Sequence, residues 1–130
     1  MLSEVLKGID PRVAKKASAY LRAFGRFTTS VLTVMEVVKG LHKQRRPKKL
    51  KQFMAHISAA EVLPFEQGSA ELAGRIFGDL ERTGQPIGRI DPMIAATVLH
   101  YDLALVTGNL GHYQRIQGLG YKLKLENWRS

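Results

Sequence analysis

The stretch RIDPMIAATVLHYDLALVTGN, residues 89–109, decides the fold class. Asp91-Pro92 predicts a helix start, because aspartate accepts hydrogen bonds at an N-cap and proline suits the first helical position. The apolar residues that follow recur at helical spacing: Ile94, Ala95, Val98 and Leu99. The apolar run at 103–106 is typical of a strand that is buried in a parallel sheet. We therefore expect a helix, a buried strand and a polar corner, in that order.

The remaining chain repeats this alternation and shows no linker or internal repeat, so we expect a single domain over residues 1–130. Apolar periodicity and end signals predict helices at 11–24, 33–41, 50–57 and 70–82. Short apolar or β-branched runs predict strands at 27–32, 61–65 and within the final segment GYKLKLENW. Alternating helices and strands indicate an α/β fold with a mostly parallel sheet flanked by helices. In such a sheet the functional crevice lies at the carboxyl ends of the strands.

Composition excludes some kinds of catalytic chemistry and indicates the cellular compartment. The chain has no cysteine, which excludes disulfides, thiol catalysis and cysteine-ligated zinc, and which fits the reducing cytoplasm. No apolar run approaches the length of a membrane span, so we expect no membrane partner.

The net charge of +9 is concentrated in one segment. Seven of the 20 lysines and arginines fall within thirteen positions, and the remaining 13 are nearly balanced by 11 acidic residues. The seven residues, hereafter the basic cluster, are Lys39, Lys43, Arg45, Arg46, Lys48, Lys49 and Lys51. The cluster is either a solvated helix–turn–helix face or a surface for a polyanion: nucleic acid, an acidic protein or a membrane surface.

Two acids are candidates for metal binding. Glu36 lies in TVME, where Thr33 and Glu36 fit a capping box, and Asp91 fits an N-cap, so each residue also has a structural explanation. Both are expected at helix starts along the same sheet edge, where converging carboxylates repel unless a cation lies between them. Mg²⁺ suits such a site and could activate water for attack on a phosphodiester.

Polar residues close the strand at the same edge. Thr107 and Asn109 are ordinary turn residues, or they orient a carboxylate or a metal-bound water. His112, which is expected in a loop, is a further candidate ligand, although imidazole is a poor ligand for Mg²⁺.

The ordered set of motifs resembles the PIN domain of bacterial VapC-type toxins. The resemblance is carried by TTSVLTVMEVVKGL and by GRIDPMIAATVLHYDLALVTGNLGHYQRIQGLGYKLKLENW, and LSEVLKG at 2–8 resembles the segment after the family's first strand. It implies a metal-dependent endoribonuclease, using Mg²⁺ or Mn²⁺, that is held inactive by a cognate antitoxin and is a homodimer. Glu36 and Asp91 match two of the family's acidic metal-site positions, while Thr107 and Asn109 match its polar strand-end motif.

The sequence departs from the family at two points. The family commonly has an acid where this chain has His112, and it opens with a central strand that ends in an aspartate before a segment like LSEVLKG. We therefore expect the natural protein to begin upstream of Met1, and we expect the chain as written to bind Mg²⁺ poorly and to cleave RNA weakly or not at all. The alternative function is a catalytically weak or inactive PIN-like domain that binds RNA or an antitoxin.

Overall fold

The computed structural model describes residues 11–127 of the chain. Its six helices and four strands alternate broadly as the sequence predicts. In chain order they are α1 (Pro11–Phe24), β1 (Thr28–Ser30), α2 (Val31–Lys43), α3 (Pro47–Ile57), β2 (Glu61–Leu63), α4 (Gln67–Arg82), α5 (Ile90–His100), β3 (Ala104–Val106), α6 (Leu110–Gly118) and β4 (Lys124–Glu126). The predicted α/β class is confirmed, with a high helical content.

All strand pairing among the described residues is parallel. β1 pairs with β2, with Thr29 opposite Val62, and β3 pairs with β4, with Leu105 opposite Leu125. The four strands form two separate two-stranded sheets, whereas the sequence led us to expect one mostly parallel sheet. Within residues 11–127 no strand joins the edges of β1 and β3. The prediction of a strand upstream of Met1, and the segment LSEVLKG, lie outside the described residues.

The core is built around α5, which is buried on several sides. Ala95, Ala96 and Val98 are almost fully inaccessible to solvent, and they pack with Ile76 and Leu80 of α4 in the main hydrophobic cluster. Small side chains at two successive positions of α5 allow its backbone to lie close to its neighbours, which improves packing. This packing holds α5 in place, so the side chains of its first turn have a fixed position.

The starts of α2, α3 and α4 differ from the predictions. α2 begins at Val31, because the Ser30 hydroxyl accepts a hydrogen bond from the backbone N–H of Thr33 at 3.0 Å and acts as the N-cap. The predicted capping box of Thr33 and Glu36 is therefore wrong, and Glu36 lies in the second turn of α2. α3 and α4 also begin three residues earlier than predicted, at Pro47 and Gln67.

Asp91 is not an N-cap, which corrects a second prediction. Arg89 occupies that position, and α5 begins at Ile90, so Asp91 and Pro92 lie inside the first turn. Proline is tolerated there because the first four backbone N–H groups of a helix have no intrahelical acceptor. The Asp91 carboxylate is consequently available for other partners, and it still benefits from the positive end of the helix dipole.

The segment after β3 forms a helix that we did not predict. α6 contains His112, for which the sequence predicts a loop. Tyr113 and Ile116 of α6 are buried in the main core, and this burial fixes the rotation of the helix. His112 is therefore held at a defined place on the α6 surface.

Candidate active site

A tight turn follows β3 and positions Asn109. The backbone N–H of Thr107 donates to the carbonyl of Glu126 at 3.0 Å, which extends the pairing of β3 with β4 by one residue. Thr107 is buried, and its hydroxyl oxygen accepts a hydrogen bond from the backbone N–H of Asn109 at 3.0 Å. The hydroxyl therefore satisfies the backbone N–H of Asn109 in the turn, and the Asn109 side chain lies toward Asp91 at the start of α5.

Asp91 is the centre of the polar cluster at this sheet end. Its Oδ1 accepts a hydrogen bond from the Tyr113 hydroxyl at 3.1 Å. Its Oδ2 lies 2.6 Å from His112 Nδ1 and 3.5 Å from Asn109 Nδ2. Asn109 Nδ2 is also 3.1 Å from His112 Nδ1. One carboxylate thus brings together side chains from α5, from the β3–α6 turn and from α6.

Tyr113 is a site residue that the sequence reading missed. Burial raises the pKa of its hydroxyl, and the negative charge of Asp91 and the hydrogen bond to it raise that pKa further. The hydroxyl therefore stays protonated and acts as a donor to Asp91. The available signal was the apolar spacing of Leu110, Tyr113 and Ile116, which is compatible with a helix that buries the tyrosine.

Glu36 is not joined to this cluster. Its carboxylate lies 3.4 Å from Lys39 Nζ, one turn further along α2. Across residues 11–127, no three histidine, aspartate or glutamate side chains form a group that could hold a metal ion. Of the residues predicted for the site, the structure brings together Asp91, Asn109 and His112, and Thr107 supports the turn between them.

The donor chemistry of the cluster fits a divalent cation in part. Asp91 supplies a carboxylate, and its side chain is only 23% exposed, so its charge is partly shielded from water. His112 supplies a nitrogen donor beside it, and a histidine–carboxylate pair is common at protein metal sites. These are two ligands, and the others would have to come from water, substrate or further carboxylates.

The basic cluster extends from the second half of α2 through the turn into α3. All seven side chains are exposed, and no acidic residue lies between 37 and 60. Lys39 pairs with Glu36, and Arg45 adopts a positive φ of 55° in the turn. Arg46, Lys48 and Lys49 surround the N-terminus of α3, which carries no acidic side chain in its first turn. Positive charges and the positive end of a helix dipole therefore lie together, which favours an anionic partner.

The chain belongs to the PIN domain family, whose model matches residues 2–118. The match agrees with the structure, in which a parallel α/β domain carries the Asp91 cluster beside the end of β3. Among the relatives is the tRNA(fMet)-specific endonuclease VapC of Salmonella typhimurium, 35% identical over 104 residues, which cover 79% of this chain and 76% of that protein. Ribonuclease VapC2 of Haemophilus influenzae is 27% identical over 128 residues, covering 95% and 92% respectively.

Solved structures of toxin–antitoxin complexes share the fold. The DNA-bound VapBC structure from Salmonella typhimurium matches with a TM-score of 0.80 and 30% identity, covering 95% of this chain and 89% of that one. VapBC-1 from nontypeable Haemophilus influenzae matches with a TM-score of 0.70 and 25% identity, covering 81% and 76%. The predicted resemblance to VapC-type PIN domains is thereby confirmed.

No helix within residues 11–127 is long and apolar enough to cross a membrane.

Proposed function

We propose that the protein is a divalent-metal-dependent endoribonuclease of the VapC type, the toxin of a toxin–antitoxin pair. The observation that carries the proposal is the Asp91 cluster, in which Asn109, His112 and Tyr113 surround one carboxylate at the end of β3. Membership of the PIN domain family and relatives that are named ribonucleases support the same activity. The substrate class is RNA, and the reaction is hydrolysis of a phosphodiester.

The cofactor is Mg²⁺ or Mn²⁺, held by Asp91, with His112 as a second donor and Glu36 as a further carboxylate. Asp91 offers the oxygen donor that both ions accept. Glu36 is included because it matches an acidic metal-site position of the family. In the structure its carboxylate pairs with Lys39. A bound ion would supply an activated water and would stabilise negative charge on the phosphate.

The protein's own residues hold these donors in place. Tyr113 fixes one oxygen of Asp91 and leaves the other facing His112 and Asn109. Thr107 holds the backbone of Asn109, and the Asn109 amide lies within reach of both neighbours. Such supporting contacts matter because small displacements of reacting groups reduce rates strongly.

The basic cluster binds the RNA backbone in this proposal. Its side chains are exposed, and the surrounding segment has no acids, so phosphate groups would meet little competition. Lysine and arginine contacts to phosphates supply affinity that depends on salt but not on sequence. The cluster therefore contributes to binding, while the choice of cleavage site rests on other contacts.

The proposed protein partner is a cognate antitoxin, and the proposed compartment is the cytoplasm. Five large apolar side chains are exposed on the first three helices: Leu21, Phe24, Val31, Met35 and Met54. Val31 and Met35 lie one turn apart on α2, so they share a face. Exposed apolar surface of this kind favours a protein partner. A homodimer is proposed from the family resemblance.

The test is cleavage of structured RNA with Mg²⁺ or Mn²⁺, with and without a chelator. We expect the chelator to abolish cleavage, whether that cleavage is strong or weak, and Asp91→Asn to lower it by about a hundredfold or more. Asp102→Asn is the matched control, because Asp102 is 91% exposed and pairs only with Lys124 among the interactions described. Cleavage that resists the chelator, or an Asp91→Asn variant with normal activity, would overturn the proposal.

The alternative is a PIN-like domain that binds RNA or an antitoxin without efficient cleavage. It is favoured by one observation, namely that residues 11–127 contain no group of three acidic or histidine ligands. Salt-sensitive RNA binding without any metal-dependent cleavage would select this alternative.

A further inference from the structure

A cavity of about 460 Å³ lies where α4 ends and α5 begins. Its lining is mostly apolar and includes Phe77 and Leu80 of α4 and Ile87 of the loop that joins the two helices. Two charged side chains, Glu81 and Arg89, also line the cavity, and both are exposed to solvent. Sites for small ligands typically have volumes of about 300–1,000 Å³. The cavity can therefore receive a flat organic group that carries a charged part.

The cavity adjoins the Asp91 cluster along two elements. Arg89 is the N-cap of α5, and Asp91 follows it by two residues in the first turn of that helix. On α6, His112 contacts Asp91, and Arg115 lies one turn further along the same face. Arg115 Nη1 donates a hydrogen bond at 3.5 Å to the carbonyl oxygen of Pro86, which lines the cavity. The cavity therefore lies next to the Asp91 cluster, and two arginines add positive charge where the two meet.

The chemistry of the lining matches one nucleotide of RNA. An aromatic side chain such as Phe77 offers a surface on which the face of a base can stack. The carboxylate of Glu81 only accepts hydrogen bonds, so it favours a base with an exocyclic amine, such as cytosine, over uracil. The guanidinium of Arg89 is suited to a phosphate, to which it can donate two parallel hydrogen bonds. Within residues 11–127 neither charged side chain forms an ion pair, so both are available to a ligand.

We propose that this cavity is a base-binding subsite that holds the nucleotide next to the scissile phosphate. Phe77 contacts the face of the base, Glu81 selects a base that carries an amine, and Arg89 binds a phosphate of the same nucleotide. The inference rests on the proposed function, because it concerns the RNA that the Asp91 cluster would cleave. It also provides a source of sequence preference, which the phosphate contacts of the basic cluster do not supply.

The experiment follows the binding of cytidine monophosphate, uridine monophosphate and cytidine to the full chain by NMR, with a chelator present and without RNA. The backbone amides of Ile87 and Gly88 report on the cavity. We expect cytidine monophosphate to shift these amide signals and to bind on the order of tenfold more tightly than uridine monophosphate. Glu81→Gln should remove most of this preference, because the glutamine amide offers both a donor and an acceptor. Arg89→Gln should instead remove the gain in affinity of cytidine monophosphate over cytidine.

Glu71→Gln and Arg22→Gln are the matched controls, because both residues are exposed and lie outside the cavity lining. Neither control should change the preference for cytosine or the contribution of the phosphate. Equal binding of the two nucleotides, no response of the cavity signals to either, or unchanged binding in both cavity variants would overturn the inference.

A second copy of the chain is the other possible occupant of the cavity. Cavity signals that ignore every nucleotide but change when the protein is diluted would assign the cavity to contact between two copies, and the inference would fail. Because nucleotide binding is measured without metal, each of these results leaves the proposed cleavage activity to be decided by its own chelator test.

Discussion

The Tyr113 hydroxyl donates a hydrogen bond to Asp91 Oδ1 at 3.1 Å. This bond joins α6 to α5 through two residues that are 22 positions apart in the sequence. The tyrosine is 3% exposed, so its ring is anchored in the core while its hydroxyl faces the carboxylate. Because burial and the nearby charge raise its pKa, the hydroxyl keeps its proton over the whole range in which the protein would work. Tyr113 therefore holds one oxygen of the carboxylate, while the other oxygen faces His112 and Asn109.

Replacing Tyr113 by phenylalanine should weaken Mn²⁺ binding several-fold and lower the free energy of unfolding by about 1 kcal/mol. The ring still fills the core, but the carboxylate loses the donor that orients it. Calorimetric metal titration and denaturant unfolding measure the two effects.

Tyr121→Phe is the matched control for that variant. The Tyr121 hydroxyl donates a hydrogen bond to Asp79 Oδ2 at 2.7 Å. This is also a tyrosine–aspartate pair, but it lies outside the Asp91 cluster. It should reduce stability without changing metal affinity. If Tyr113→Phe binds Mn²⁺ as the wild type does, Tyr113 supports α6 alone and does not position Asp91.

Thr107→Val should destabilise the protein by about 1–2 kcal/mol and reduce RNA cleavage. Valine keeps the shape of the side chain but removes the oxygen that accepts from the backbone N–H of Asn109, which leaves a partly buried donor unsatisfied. Thr97→Val is the control, because Thr97 uses its hydroxyl only to donate to the Met93 carbonyl within α5. Equal unfolding free energies for the two variants would show that the Thr107 oxygen does not support the turn.

The parts of the fold that the sequence predicts well are those that depend on local patterns. The helix before β3 and the strand itself were readable, because apolar spacing and a short buried run are contained within residues 89–109. The polar corner at Thr107 and Asn109 was readable for the same reason. The exact helix starts were not, since Ser30 and Thr33 are both good caps and only the observed hydrogen bond distinguishes them.

The site itself depends on contacts that sequence spacing does not reveal. α6 has glycine near each end and no side-chain cap, so its local signals for a helix are weak. Its rotation is fixed by burial of Tyr113 and Ile116, and that burial places His112 against an aspartate 21 positions earlier. The sequence therefore identifies His112 as a candidate ligand, but it predicts neither the helix that contains His112 nor the contact of His112 with Asp91.

Stability should fall in acid partly through Asp79. The hydrogen bond from Tyr121 and then that from Arg82 hold the pKa of Asp79 below its ordinary value of 3.8. A carboxyl with a lowered pKa in the folded state contributes stability above its unfolded pKa and loses it as the pH falls through the folded value. Denaturant unfolding between about pH 5 and pH 2 should therefore show a steeper loss for the wild type than for Asp79→Asn. Parallel curves for the two proteins would contradict this assignment, because other carboxyls contribute equally to both.

The basic cluster should contribute to RNA affinity through phosphate contacts and should therefore set part of its salt dependence. A variant in which Arg45, Arg46, Lys48 and Lys49 are replaced by glutamine should bind RNA more weakly at low salt. The slope of log affinity against log salt should become shallower by about one unit for each phosphate contact that is lost. Binding is measured by fluorescence anisotropy over a series of salt concentrations, with a chelator present to prevent cleavage.

A control with the same change in net charge separates local contact from overall charge. It replaces Arg75, Arg82, Lys122 and Lys124, which lie elsewhere in the chain, and three of which pair with acidic side chains. If the cluster contacts phosphates, the control should keep most of the wild-type slope, because long-range attraction is screened within about 10 Å at moderate salt. Equal losses of slope in the two variants would mean that net charge alone attracts RNA, and the cluster would then be a solvated helix–turn–helix face.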